Sequence, residues 1–94
     1  MILRVTGDLD MAAAPVLERE LAPLLGGRAR VDLDAADVDF IDCAGVRVLL
    51  RAWQRDPRFT VVSPSDSVRR LIQLLDLDLP VADRSRETPT RRPD

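Results

Sequence analysis

The stretch VDFIDCAGVRVLL, residues 38–50, contains the change of pattern that decides the fold. Residues 38–41 favour an extended strand, whereas the apolar residues from Val46 onwards recur at helical spacing. Between them stand Asp42, a residue type typical of helix N-caps, and Gly45, which allows close packing against a sheet. The sequence therefore predicts a strand that turns directly into a helix, with its corner at residues 42–45.

Such a corner can be interpreted in two ways. Free backbone N–H groups and the positive end of the helix dipole would meet at one surface point, which suits a phosphate or an acidic group of a partner. Alternatively, the Asp42 carboxylate only caps the helix, and Gly45 only permits close packing. The residues alone favour this second, structural interpretation.

Strand and helix patterns alternate on both sides of the corner. Helices are predicted from about residue 13, at the corner, and after Ser65, a plausible N-cap, and Pro23 is expected to kink or end the first helix. Strands separated by helices pair most naturally as a parallel sheet, so we expect a small α/β domain with a mostly parallel sheet in the order βαβαβαβ. The predicted strands are ILRVT, ARVDL, FTVVS and LPVAD, with VDFI as a second extended piece after a short acidic connection.

Composition sets the limits of this domain. Residues 1–82 are expected to form it, and residues 83–94 a disordered tail, because that run has no aliphatic or aromatic side chain to bury. No apolar run approaches the roughly 18 to 20 residues that span a bilayer, and the N-terminus lacks a signal-peptide pattern. We therefore expect a cytoplasmic protein without direct membrane insertion.

The same composition argues against several functional classes. The chain has no histidine and one cysteine, a net charge of −2 and 3 % aromatic residues, so we expect no metal, no cofactor and no nucleic-acid binding. The aspartates between Asp32 and Asp42 suggest a magnesium site or an aspartyl phosphatase as an alternative. However, Ala36 stands where such a phosphatase has Thr or Val, and no lysine is present to steady a phosphate. An enzyme is therefore not expected.

Three blocks of the sequence resemble one family. The block DLDAADVDFIDCAGVRVLL resembles the signature of the STAS domain family, and GDLDMAAAP and VVSPSDSVRRLIQLLDL resemble the segments before and after that signature. The blocks stand in family order, and the resemblance covers Ile2 to Ala82. It implies the STAS fold and the function of an anti-sigma-factor antagonist. Such a protein is a non-enzymatic interaction module that binds an anti-sigma factor, often a serine kinase, and thereby regulates transcription.

The resemblance also implies a partner-binding surface around the corner. In this family the kinase phosphorylates a Ser or Thr at the corner, a position that matches Ala44 or, alternatively, Cys43, and neither has a hydroxyl. We therefore expect no phosphorylation there, and repulsion by an added phosphate would not release the partner. Arginines on the helix after the corner are expected to meet carboxylates of the partner. The implied surface consists of Asp10, Asp42, Cys43, Ala44, Gly45, Arg47 and Arg51.

Several alternatives stay open at this point. Some small STAS proteins are subunits of phospholipid-trafficking ABC transporters and dock on the ATPase, and several of these have Ala before the corner glycine. A degenerate STAS scaffold in a larger signalling assembly is a third interpretation. Cys43 is either a redox-sensitive thiol near a helix N-terminus or a small filler where relatives have Ser. The family's extra N-terminal strand has no counterpart before ILRVT, which would expose that strand and favour pairing with another chain, including a homodimer.

Overall fold

The computed structural model describes residues 1–83, which form four strands and three helices in the predicted βαβαβαβ order. The α/β class is thereby confirmed. The predicted tail lies outside the described residues except for Asp83. None of the helices within residues 1–83 is long and apolar enough to cross a membrane. The elements are β1 Ile2–Leu9, α1 Ala14–Leu21, β2 Asp32–Ile41, α2 Cys43–Arg55, β3 Thr60–Val62, α3 Asp66–Leu74 and β4 Val81–Ala82.

All four strands are parallel and lie in sequence order, β1-β2-β3-β4, so β1 and β4 form the two edges. Right-handed crossovers between adjacent parallel strands place successive helices on the same face of a sheet. The apolar side chains of the three helices accordingly join one face of the sheet in a single core. Its members include Leu9, Leu17, Leu21, Leu33, Ala35, Val46, Leu49, Val61, Val68 and Ile72.

The strand before the corner is longer than predicted. β2 is one continuous strand of ten residues, whereas the sequence predicted two extended pieces separated by an acidic connection. Two register shifts against β1, between Arg4 and Thr6 and between Gly7 and Asp8, accommodate the additional residues of β2. The polar composition of residues 34–37 suggested a loop, but pairing with β1 keeps this segment in the sheet.

Local signals fix the helix ends. The Ser65 hydroxyl accepts a hydrogen bond from the Val68 N–H at 3.4 Å, as expected for an N-cap. Helix α1 ends at Leu21, two residues before Pro23, which has no N–H to continue the helix. Pro80, which has no N–H to donate to a neighbouring strand, directly precedes the edge strand β4.

Candidate functional site: the strand-helix corner

The Asp42 carboxylate holds the corner together with both of its oxygens. Asp42 is the N-cap of α2, and its Oδ1 accepts a hydrogen bond from the Gly45 N–H at 3.1 Å. Its Oδ2 accepts a second hydrogen bond from the Met11 N–H, at 3.2 Å, in the loop that connects β1 to α1. One side chain thus joins the start of α2 to the loop beside it, and the predicted capping role is confirmed.

Asp10 organises the neighbouring loop in the same manner. Its Oδ1 accepts hydrogen bonds from the N–H groups of Ala12 and Ala13, at 3.1 and 3.0 Å. Its backbone carbonyl accepts a third hydrogen bond from the Ala14 N–H at 2.8 Å. Ala13 is the N-cap of α1 and supplies no side-chain cap. Asp10 therefore satisfies N–H groups that would otherwise be left free at the start of this helix.

Gly45 brings α2 into direct contact with the end of β1. A Cβ atom at this position would overlap the Leu9 carbonyl oxygen and would lie 2.9 Å from both Ile41 Cγ1 and Leu9 Cγ. Real Cβ atoms essentially never approach a neighbour so closely. Glycine is therefore required by packing, and the structural interpretation of Gly45 is confirmed.

The remaining corner residues form the outer surface of this site. Cys43 and Arg47 are exposed, whereas Ala44 is half-buried and offers no hydroxyl. Met11 is 74 % exposed and lies beside them, because its N–H binds Asp42. The sequence pattern did not indicate Met11, since nothing in a loop marks which apolar residue stays outside the core. We refer to Met11, Cys43, Ala44 and Arg47 as the corner surface.

Arg51 is engaged within the molecule. Its Nη1 lies 3.2 Å from Glu18 Oε2 and 3.3 Å from Oε1, so this exposed ion pair links α2 to α1. Arg47 lies one helical turn closer to the corner than Arg51. Within residues 1–83, Arg47 forms no ion pair. Of the two predicted arginines, Arg47 is thus the better placed to meet a partner.

The aspartates of β2 do not gather into a metal site. Asp34 lies 3.8 Å from Arg4, and Asp32 lies 3.1 Å from Arg30. Among residues 1–83, no group of three acidic, cysteine or histidine side chains is arranged to hold a metal ion. These carboxylates belong to ion pairs along the sheet and not to a common centre.

A cluster around Asp56 was missed by sequence reasoning. Asp56 is only 2 % exposed and forms a bidentate ion pair with Arg58, at 3.1 and 3.2 Å. It also accepts hydrogen bonds from the N–H groups of Gly26 and Arg58, both at 3.0 Å. The Arg58 side chain and these N–H groups lower the pKa of Asp56 to about 2. The cluster lies where α2 leads into β3, at the opposite end of α2 from the corner, so it joins two loops and not the candidate site.

Comparisons with known proteins agree with this geometry. Residues 1–81 match the model of a family described as Mlab, STAS domain. No curated protein gives a significant match. An anti-sigma factor antagonist from Mycobacterium paratuberculosis is 25 % identical, with a TM-score of 0.79 over 95 % of this chain and 81 % of that chain.

Two further solved structures share the fold. A candidate anti-sigma factor antagonist from Thermotoga maritima is 23 % identical, with a TM-score of 0.76 over 97 % of this chain and 86 % of that chain. The anti-sigma factor antagonist SpoIIAA, in its unphosphorylated form, is 18 % identical, with a TM-score of 0.68 over 94 % of this chain and 83 % of that chain. The family match spans almost the whole described chain, from the start of β1 into β4. The chain therefore belongs to the STAS domain family.

Proposed function

We propose that this protein is an interaction module of the anti-sigma-factor antagonist type, and that it binds an anti-sigma factor or serine kinase through the corner surface. The observation that carries the proposal is the pair of hydrogen bonds of Asp42, which fixes Met11 and the start of α2 side by side. A rigid surface loses little conformational entropy when a partner binds. The similarity to the mycobacterial antagonist supports the same class.

The corner surface suits an acidic partner group. Arg47 is exposed there and can pair with a carboxylate in a bidentate geometry. The exposed Met11 supplies an adaptable apolar contact beside it. Proteins of this family generally act without catalysis, and the proposed function is binding alone.

Ala44 distinguishes this protein from an antagonist that is controlled by phosphorylation. The position has no hydroxyl, so a kinase partner has no acceptor at the usual place. We propose that binding persists until the partner is released by other means. Changing Ala44→Ser tests this: a kinase partner should phosphorylate the variant and release it, whereas the unchanged chain should stay bound and free of phosphate. Phosphate on the unchanged corner, detected by mass spectrometry, would contradict the proposal.

A second candidate function is favoured by the same alanine and by the family match. Several small STAS subunits of phospholipid-trafficking ABC transporters resemble this chain in having Ala at that position, and the matched family is described as Mlab, STAS domain. In that case the corner surface would dock on the transporter ATPase. The two functions differ in the partner and not in the surface.

Crosslinking in the native cells, followed by mass spectrometry of proteins captured with the tagged chain, separates the two functions. Recovery of an anti-sigma factor supports the first function, and recovery of a transporter ATPase supports the second. The change Arg47→Glu should weaken binding of either partner about tenfold or more, because it places a carboxylate against the proposed acidic group. The matched control is Arg70→Glu on α3, which makes the same charge change away from the corner. Equal affinity of both variants would exclude the corner surface.

A further inference from the structure

β1 is an eight-residue edge strand with one free side. Among residues 1–83 it pairs with β2 alone. The Met1 carbonyl accepts the Asp32 N–H, so the odd-numbered residues direct their backbone groups towards β2. Because these groups alternate along a strand, those of Arg4 and Thr6 point to the free edge. An unpaired edge of this length is a template for another strand.

An apolar cleft runs along the same edge. It has a volume of about 280 Å³ and lies between β1 and the outer side of α1. Its apolar lining includes Val5, Leu9, Val16 and Leu17, and Val16 is exposed. A strand placed beside β1 would cover this cleft with the side chains on its helix-facing side. The edge therefore offers apolar contacts in addition to backbone hydrogen bonds.

The charges on β1 are self-complementary about Thr6. Exposed and half-buried residues alternate without interruption from Ile2 to Asp8, so Arg4 and Asp8 lie on the same face, two residues on either side of Thr6. The Arg4 side chain is 69 % exposed even though it lies near Asp34, and within residues 1–83 Asp8 forms no ion pair. When two copies of this strand run antiparallel with their Thr6 residues aligned, the Arg4 of each copy therefore lies opposite the Asp8 of the other.

We propose that β1 pairs antiparallel with β1 of a second copy of this chain, around a two-fold axis at Thr6. Arg4 of each copy then faces Asp8 of the other, and the two Thr6 residues face each other, a favourable cross-strand pair. On the helix-facing side, Leu3 of one copy lies opposite Leu9 of the other, at the apolar cleft. Even-numbered residues meet even-numbered residues, as the outward direction of their backbone groups requires. The two sheets become one sheet of eight strands.

Charge reversal tests this pairing. Sedimentation equilibrium of the full chain from about 1 μM to 1 mM should show a monomer–dimer equilibrium. The single changes Arg4→Asp and Asp8→Arg each place two like-charge pairs across the axis, so each should raise the dissociation constant about tenfold or more. An equimolar mixture of the two variants should form a heterodimer, because every pair across the axis is then of opposite charge.

Three results would overturn the proposal: a wild-type chain that stays monomeric, single variants that dimerise as tightly as wild type, or a mixture that forms no heterodimer. The control Arg70→Asp, on α3, should dimerise like wild type. Circular dichroism verifies that each variant folds.

The double variant Thr6→Cys, Cys43→Ser gives a second readout that needs no charge change. In a hydrogen-bonded antiparallel pair the two Cα atoms are about 5.5 Å apart, which allows an intermolecular disulfide. Arg70→Cys in the same background should form none, and absence of the disulfide at position 6 would also count against the pairing.

Discussion

At the scale of single residues, some side chains of the corner are engaged in hydrogen bonds within the domain, and others are exposed and free to contact a partner. Both oxygens of the Asp42 carboxylate accept backbone N–H groups of the domain itself, and Asp10 is similarly engaged. Sequence reasoning placed these residues on the partner-binding surface, but their side chains first determine the shape of that surface. The exposed neighbours Met11, Cys43 and Arg47 form the part of this surface that we propose for a partner.

Gly45 gives the sharpest prediction at this scale. Gly45→Ala should lower the free energy of unfolding by about 1–3 kcal/mol, because the new methyl group would overlap the Leu9 carbonyl and force α2 away from the sheet. Urea denaturation measures the change. The matched control is Gly27→Ala, where a Cβ would meet only the Leu24 carbonyl oxygen at 3.7 Å. Equal stability of the two variants would show that α2 can shift at no cost.

At the scale of elements, charged side chains connect segments that are distant in sequence. The exposed pair of Arg51 and Glu18 joins α1 to α2 but contributes only about 0–1 kcal/mol, so these helices depend on their buried apolar residues for packing. The buried Asp56 has a stronger role, because it ties the turn before β3 to the Gly26 loop. Arg58 reinforces this connection by donating hydrogen bonds to the carbonyls of Gly27 and Arg28.

Asp56 should make stability depend on pH at the acidic end. Its pKa is about 2 in the folded protein and 3.8 ordinarily, so protonation favours the unfolded chain. The stabilisation is fully present above the ordinary pKa and is lost as the pH falls from 3.8 through about 2. In urea denaturation, wild type should therefore have a clearly larger free energy of unfolding than Asp56→Asn at about pH 6. This difference between the two proteins should become smaller as the pH falls towards 2.

The control for this prediction is Asp78→Asn, which removes an exposed acid that accepts no side-chain hydrogen bond within residues 1–83. The free energy of unfolding of Asp78→Asn should stay close to that of wild type from pH 6 to pH 2. If the difference between wild type and Asp56→Asn were constant from pH 6 to pH 2, the ion pair with Arg58 would not be the source of the stabilisation.

At the scale of the whole molecule, the sequence predicted correctly those features that depend on residues adjacent in the chain. The caps at Asp42 and Ser65 and the end of α1 before Pro23 follow from residues adjacent in sequence, and the structure confirms all three. The continuous β2 was missed because its paired neighbour, and not its own polar residues, keeps it extended. The bond between Asp56 and Gly26 was missed because it joins two loops 30 residues apart.

The order of strands predicts how protection from hydrogen exchange is distributed. At Asp32–Asp34, β2 is paired with β1 on one side and with β3 on the other, so the amides there should exchange most slowly, whereas those of β4, a two-residue edge strand, should exchange early. The outward amides of Arg4 and Thr6 should exchange fast at low protein concentration and more slowly as concentration rises. Exchange followed by NMR at two concentrations measures both effects. Faster exchange in β2 than in β4 would contradict this distribution.

The corner surface lies beside the carboxyl end of the edge strand β1, and this position has a consequence for avidity. Antiparallel pairing of two β1 strands about Thr6 would place the two corner surfaces at opposite ends of the shared ladder, with the two Leu9 residues about 20 Å apart along the strand direction. A partner that carries two copies of its own binding site at a similar spacing could then be held at both ends at once. Binding at the second end would be intramolecular, and its effective concentration would depend on this spacing. Affinity for a dimeric partner would thus be set by the geometry of the sheet as well as by the residues of the corner.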